Sequence, residues 1–76
     1  MKAFVLIKIR AGDIKDVIQQ LRKTDSVVEA HMTFGPYDAV AVVDAPDLGS
    51  IGSLVASTIQ PIEGVEQTLT CLTVDV

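Results

Sequence analysis

His31 and Cys71 are the chain's only imidazole and only thiol, so acid–base or nucleophilic chemistry would have to start from them. Imidazole ordinarily changes charge near neutral pH, and a thiolate is a nucleophile and a soft metal ligand. To work together they would need to lie within hydrogen-bond reach of each other. Strand alternation argues against that. It groups His31 with Glu29 and Thr33 on an open face, and Cys71 with Val65, Gln67 and Leu69 on a helix-covered one. His31, with Thr33, then reads as an interface contact, and Cys71 as a small core residue. One Cys and one His do not make a structural zinc set. Residues 47–53, "DLGSIGS", have glycines but no Lys for a phosphate loop. No catalytic residue, metal ligand or cofactor is expected.

The other stretch with unusual chemistry is residues 33–43, "TFGPYDAVAVV". A two-residue hairpin needs only a pair such as Asn-Gly. Here Gly35, Pro36, Tyr37 and Asp38 stand in a row before an apolar strand. Each has a plain structural reading: Gly35-Pro36 as a turn, Tyr37 packed at a sheet edge, Asp38 capping the turn. Thr68 and Thr70 likewise are good strand residues in any setting.

The elements that must position these residues follow from pattern. "KAFVLIKIR", residues 2–10, is apolar on both alternating faces, which predicts a central strand covered twice. Asp13 is a candidate N-cap. Ile14, Val17, Ile18 and Leu21 then recur at helical spacing over residues 13–24. "VVEAHMTF", residues 27–34, predicts a strand with Val28, Ala30, Met32 and Phe34 on its apolar side. A third strand over 38–45 stops at Pro46. Asp47 can cap a helix over 47–60 that carries Leu48, Ile51, Leu54, Val55 and Ile59. Gly49, Gly52 and Ala56 keep that helix slim, Gly52 at a cost of about 1 kcal/mol relative to Ala. "VEQTLTCLTVDV" is the last strand.

The two halves match. Val28-Glu29 recurs as Val65-Glu66, and the same displacement carries Gly12 onto Gly49, Ile14 onto Ile51 and Thr33 onto Thr70. A repeated β-α-β unit predicts an α+β, ferredoxin-like βαββαβ fold over residues 1–76. It is a four-stranded antiparallel sheet in the order 4-1-3-2, with two helices on one face.

The totals agree with a single small domain that associates. Seventy-six residues bury a limited share of their surface. Yet 49% of them are hydrophobic and mean hydropathy is positive. A subunit interface on the bare sheet face is the economical destination for that excess. The net charge of −4 argues against a nucleic-acid binder. Lys8 and Arg10 interrupt the best apolar run, so no membrane span is expected, and the N-terminus has no signal-peptide layout. A cytoplasmic protein is expected.

Val27 to Asp38, "V-x-E-A-x-x-x-x-G-x-Y-D", and Ile62 to Thr70, "I-x-G-V-x-x-T-x-T", together resemble the ligand-binding (RAM) domain of the Lrp/AsnC regulators. The resemblance spans nearly the whole chain. It implies a small amino acid bound between homodimers of a higher oligomer, lined by Gly35, Tyr37, Asp38, Thr68 and Thr70. Asp38 would accept from the ammonium; turn amides and Thr hydroxyls would donate to the carboxylate. It also implies a role in transcriptional or metabolic regulation, exerted through a partner such as a full-length regulator of the same family. The family's helix-turn-helix is not in this chain, which resembles the stand-alone members, so direct DNA binding does not carry over. Pro36 departs from the polar residue usual there and removes one amide N–H from the turn.

Two other readings use the same fold. One is a small dimeric α+β-barrel enzyme, which would need a roomy cavity between helices and sheet with His31 or Tyr37 reaching in. The other is an assembly module whose turn and T-x-T strand build a ligand-free contact.

Overall fold

The computed structural model describes residues 1–76. Its elements are β1 (Lys2–Ile9), α1 (Ile14–Arg22), β2 (Val27–Met32), β3 (Ala39–Asp44), α2 (Leu48–Leu54, extended by a π-helical turn over Val55–Ile59) and β4 (Val65–Leu72). The strands lie in the order β2-β3-β1-β4, all antiparallel, which is the expected plait.

Helical periodicity settles the core. Val17, Ile18 and Leu21 of α1 and Ile51, Val55 and Ile59 of α2 pack with Ala3, Val5, Ile7, Ala41 and Val43 of the central strands. All buried side chains are apolar. β1 is central, as its composition demands, but within one chain only one of its faces is covered. Phe4 and Leu6 on the other face remain exposed or half-buried.

The two candidate caps differ. Asp47 works as expected: its Oδ1 accepts from the Ser50 amide at 2.8 Å. That backbone hydrogen bond holds its carboxyl below the ordinary 3.8. A depressed folded value favours the ionised form in the native state. The stabilisation is therefore present above pH 3.8 and is lost as pH falls through the folded value. Thermal melts of wild type and Asp47→Ala should differ at neutral pH, wild type being higher, and converge on acidification. Asp13 does not cap α1. It stands at the N-cap position without a side-chain bond there, because Arg10 draws its carboxylate away through contacts of 2.6 Å.

Two strand expectations need correction. β2 ends at Met32, so Phe34 is not on a strand face; it is fully exposed in the connection to β3. Val28 is not on the covered face either. The β2–β3 register passes from Val27↔Val43 directly to Glu29↔Val42, so Val28 is the extra residue of a β-bulge. A second bulge interrupts β4, where pairing with β1 moves from Ile9↔Val65 to Lys8↔Gln67 and leaves Glu66 unpaired.

Candidate functional site

The bulge at Glu66 decides which way β4 faces. Cross-strand partners share a face of the sheet. Thr68, Thr70 and Leu72 lie opposite Ile7, Val5 and Ala3, the buried helix-side residues of β1. Gln67, Leu69 and Cys71 lie opposite Lys8, Leu6 and Phe4, on the open face. Simple alternation from Val65 predicts the reverse, and one inserted residue inverts it. Cys71 is consequently exposed rather than a core residue. It shares the open face with His31 but sits on the opposite edge strand, with β3 and β1 between them.

The open face has an apolar centre made of Phe4, Leu6, Val40, Val42 and Leu69, as the pairings Phe4↔Val42, Leu6↔Val40 and Leu6↔Leu69 require. Its β2 margin carries His31 and Glu29, placed opposite Val40 and Val42. The His31 Nε2 and Glu29 Oε1 are 3.2 Å apart.

The β2–β3 turn is tied down on several sides. Gly35 takes φ 144°, a value that side chains disfavour. The Thr33 hydroxyl donates to the Tyr37 carbonyl at 2.8 Å, and the Thr33 amide to the Asp38 carbonyl at 3.0 Å. Lys8 Nζ donates to the Pro36 carbonyl at 3.1 Å. Asp38 does most: its amide donates to the Ile7 carbonyl, and its Oδ2 accepts from the Ile9 amide at 2.8 Å. The aromatic-acid pair at the head of β3 thus has a structural task. Asp38 fastens the turn to the end of β1 and leaves Oδ1 for a second donor. Tyr37 is half-buried beside it. The Lys8 and Ile9 contacts were not legible from spacing, since they join residues nearly thirty positions apart.

Thr68 and Thr70 belong elsewhere. The Thr68 hydroxyl accepts from Gln60 Nε2 at 3.0 Å, joining β4 to the end of the second helix. Thr70 lines an apolar groove of about 290 Å3 between α2 and β4. Its walls are Leu48, Ile51, Val55 and Leu72, and Gly52 leaves room on the helix side. The small residues of α2 were the sequence signal for this groove. A larger cavity, about 430 Å3, opens between α1 and the loop before β4. It is lined mainly by Asp13, Asp16, Gln19, Gln20 and Glu63, with Arg10 bridging Asp13 and Glu63. Neither cavity includes Gly35, Tyr37 or Asp38. Within one chain, therefore, the turn and the T-x-T strand do not converge: β1 lies between β3, which the turn leads into, and β4.

Nowhere do three His, Cys, Asp or Glu side chains stand together as metal ligands would. No helix is long and apolar enough to cross a membrane.

Comparison with known proteins places this geometry. A family model described as the Lrp/AsnC ligand binding domain matches residues 2–75. The HTH-type transcriptional regulator FL11 of Pyrococcus furiosus is 36% identical, over 97% of this chain and 48% of its own length. The chain spans about half the length of the curated relatives it matches. The crystal structure of TTHA0845 from Thermus thermophilus superposes with a TM-score of 0.93 at 33% identity, covering 99% of this chain and 94% of that one. The transcriptional regulator NMB0573 of Neisseria meningitidis, solved as a complex with L-Met, shares the fold with a TM-score of 0.87. It is 21% identical, over 97% of this chain and 49% of that one.

Proposed function

The chain belongs to the Lrp/AsnC family of ligand-binding domains, and from that premise we propose that it is a homo-oligomeric sensor module for a small amino acid. It dimerises through its open sheet face and serves regulation through a partner of the same family that reads DNA. The observation that carries the reading is the β2–β3 turn. It is a rigid loop holding a carboxylate whose Oδ2 is engaged by Ile9 while Oδ1 is left for an incoming ammonium. Backbone N–H groups of the turn and the Thr hydroxyls are the complementary donors for a carboxylate. Among proteins of this fold, the Neisseria regulator holds L-Met. The relatives' regulatory names support the same class of task.

The enzyme reading requires His31 or Tyr37 to reach into space between helices and sheet. His31 is on the far face, and the interior beneath the helices is filled by side chains with no exposure, among them Val5, Ile7, Val17, Leu21 and Val43. The ligand-free assembly reading differs from the sensor in one respect, the response to amino acids.

A thermal-shift screen over the twenty amino acids tests it. Ligand at about ten times its Kd adds about 1.4 kcal/mol to the native state, about 5–10 °C in a domain of this size. Asp38→Asn keeps an acceptor for the Ile9 amide but removes the charge, and should abolish the shift while leaving the unliganded melt nearly in place. Asp38→Ala also leaves the Ile9 donor unmet, at about 1–3 kcal/mol, so its unliganded melt should fall. Absence of any shift across the twenty, with assembly intact, would hand the case to the assembly module.

A further inference from the structure

An α-amino acid carries an ammonium and a carboxylate on one carbon. A site that grips both charges needs an acid and a base close together, yet not spent on each other. The β2–β3 turn offers such a pair. Asp38 is the acid, with Oδ2 on the Ile9 amide. Lys8 is the base, with Nζ 3.1 Å from the Pro36 carbonyl. Both contacts come from the same end of β1, where Lys8 and Ile9 are consecutive. The chain's ion pairs join Met1 to Asp44, Arg10 to Asp13 and Glu63, and His31 to Glu29. Lys8 and Asp38 stand outside all of them.

Other donors for a carboxylate are few at this turn. The Thr33 amide is spent on the Asp38 carbonyl and the Asp38 amide on the Ile7 carbonyl. The Thr33 hydroxyl is spent on the Tyr37 carbonyl, and Pro36 has no N–H to give. Thr68 and Thr70 lie beyond β1 on β4. Arg10 is held by Asp13 and Glu63, and Arg22 by the Ala30 carbonyl. Lys8 is the basic side chain bonded to the turn, and of the three N–H donors of an ammonium the Pro36 carbonyl engages one.

We propose that Lys8 binds the carboxylate of the amino-acid effector while Asp38 takes its ammonium. Lys8 supplies, as a charged donor, what the turn lacks in the Pro36 amide. The Pro36 carbonyl holds the ammonium in place beforehand, so less freedom of the long stem is lost when the ligand arrives. The proposal rests on the sensor reading above and adds to it a residue that neither the G-x-Y-D nor the T-x-T segment contains. It also defines the ligand class: a free α-carboxylate is required, and amides of the same amino acids are poor ligands.

Thermal shift and calorimetry on wild type, Lys8→Met and Lys8→Arg test it. The probes are the twenty L-amino acids and the α-amides of those that shift the wild-type melt. An α-amide keeps the ammonium and the side chain and lacks the carboxylate charge. Lys8 bonds to an exposed carbonyl, and Met keeps an unbranched stem, so the unliganded melt of Lys8→Met should stay near wild type. Wild type should bind the acid about 10- to 100-fold more tightly than its amide, the range of a charge-assisted hydrogen bond. Lys8→Met should lose that factor on the acid alone, so that acid and amide bind equally. Lys8→Arg, which keeps the charge, should keep most of it. Discrimination retained in Lys8→Met would place the carboxylate elsewhere. Equal losses for acid and amide would reduce Lys8 to a prop for the turn. Either result overturns the proposal and leaves the sensor reading standing, because wild type still binds. A wild type that no amino acid shifts would overturn both.

Discussion

Phe4→Lys should yield a folded protein that no longer pairs through its open sheet face. Phe4 lies at the centre of the open face, opposite Val42 on one side and Cys71 on the other. It is 39% exposed in the single chain, so a long cationic side chain can reach solvent there without disturbing the helix-side core. In a face-to-face dimer the same side chain would carry an unpaired ammonium into a dry apolar centre, which is expensive. Loss of a central aromatic anchor alone costs about 2 kcal/mol or more in typical interfaces. Dimer affinity should fall by on the order of 100-fold or more. Sedimentation or light scattering across a dilution series reads this directly, with circular dichroism confirming the fold. A Phe4→Lys protein that stays assembled at wild-type affinity would remove the sheet face from the interface.

Gly64→Ala should be the most damaging single methyl group in the chain. Gly64 sits at φ 101° between the second helix and β4, a region that costs an L side chain about 1–2 kcal/mol. It is also crowded: a Cβ there would stand 2.7 Å from the Asp13 Cβ and 2.9 Å from its Oδ2. Asp13 cannot swing aside cheaply, because Arg10 grips its carboxylate. The Gly64 carbonyl meanwhile accepts from the Arg10 amide at 2.7 Å, so the loop cannot retreat without losing that bond. Strain and overpacking together should cost about 3 kcal/mol, about 15 °C in melting temperature. That is a large part of the stability a small domain has. Gly35→Ala supplies the control, since Gly35 also has positive φ but open space around its Cβ position. It should cost less than half as much. Equal losses at the two glycines would mean that the Asp13 contact is immaterial.

The open-face and groove surfaces differ in how legible they were. Phe4 and Leu6 announce a second apolar face on β1 by composition alone, and the structure leaves that face bare. The groove depended on where β4 directs its side chains, which composition does not say. Thr70 could be named as a candidate from the T-x-T pattern, but not placed. Asp38 could be named as a candidate acid, but not as the anchor of the Ile9 amide. A hydrogen bond between residues distant in sequence leaves no periodic trace.

What the sequence determined by itself was the set of elements and their order. Helical spacing in residues 14–21 and 51–59, β-branched runs, Pro46, and the internal repeat all act locally, and they agree with one another. Agreement of that kind is what specifies a plait. What only the tertiary structure decided was register. Strand alternation has a period of two, so one bulged residue moves every later side chain to the other face. Val28 and Glu66 are the bulged residues here. Nothing in their own chemistry marks them, because a bulge is set by how a strand must twist against its neighbour. Cys71 and Leu69 went to the open face and Thr68 and Thr70 to the helix side for that reason alone.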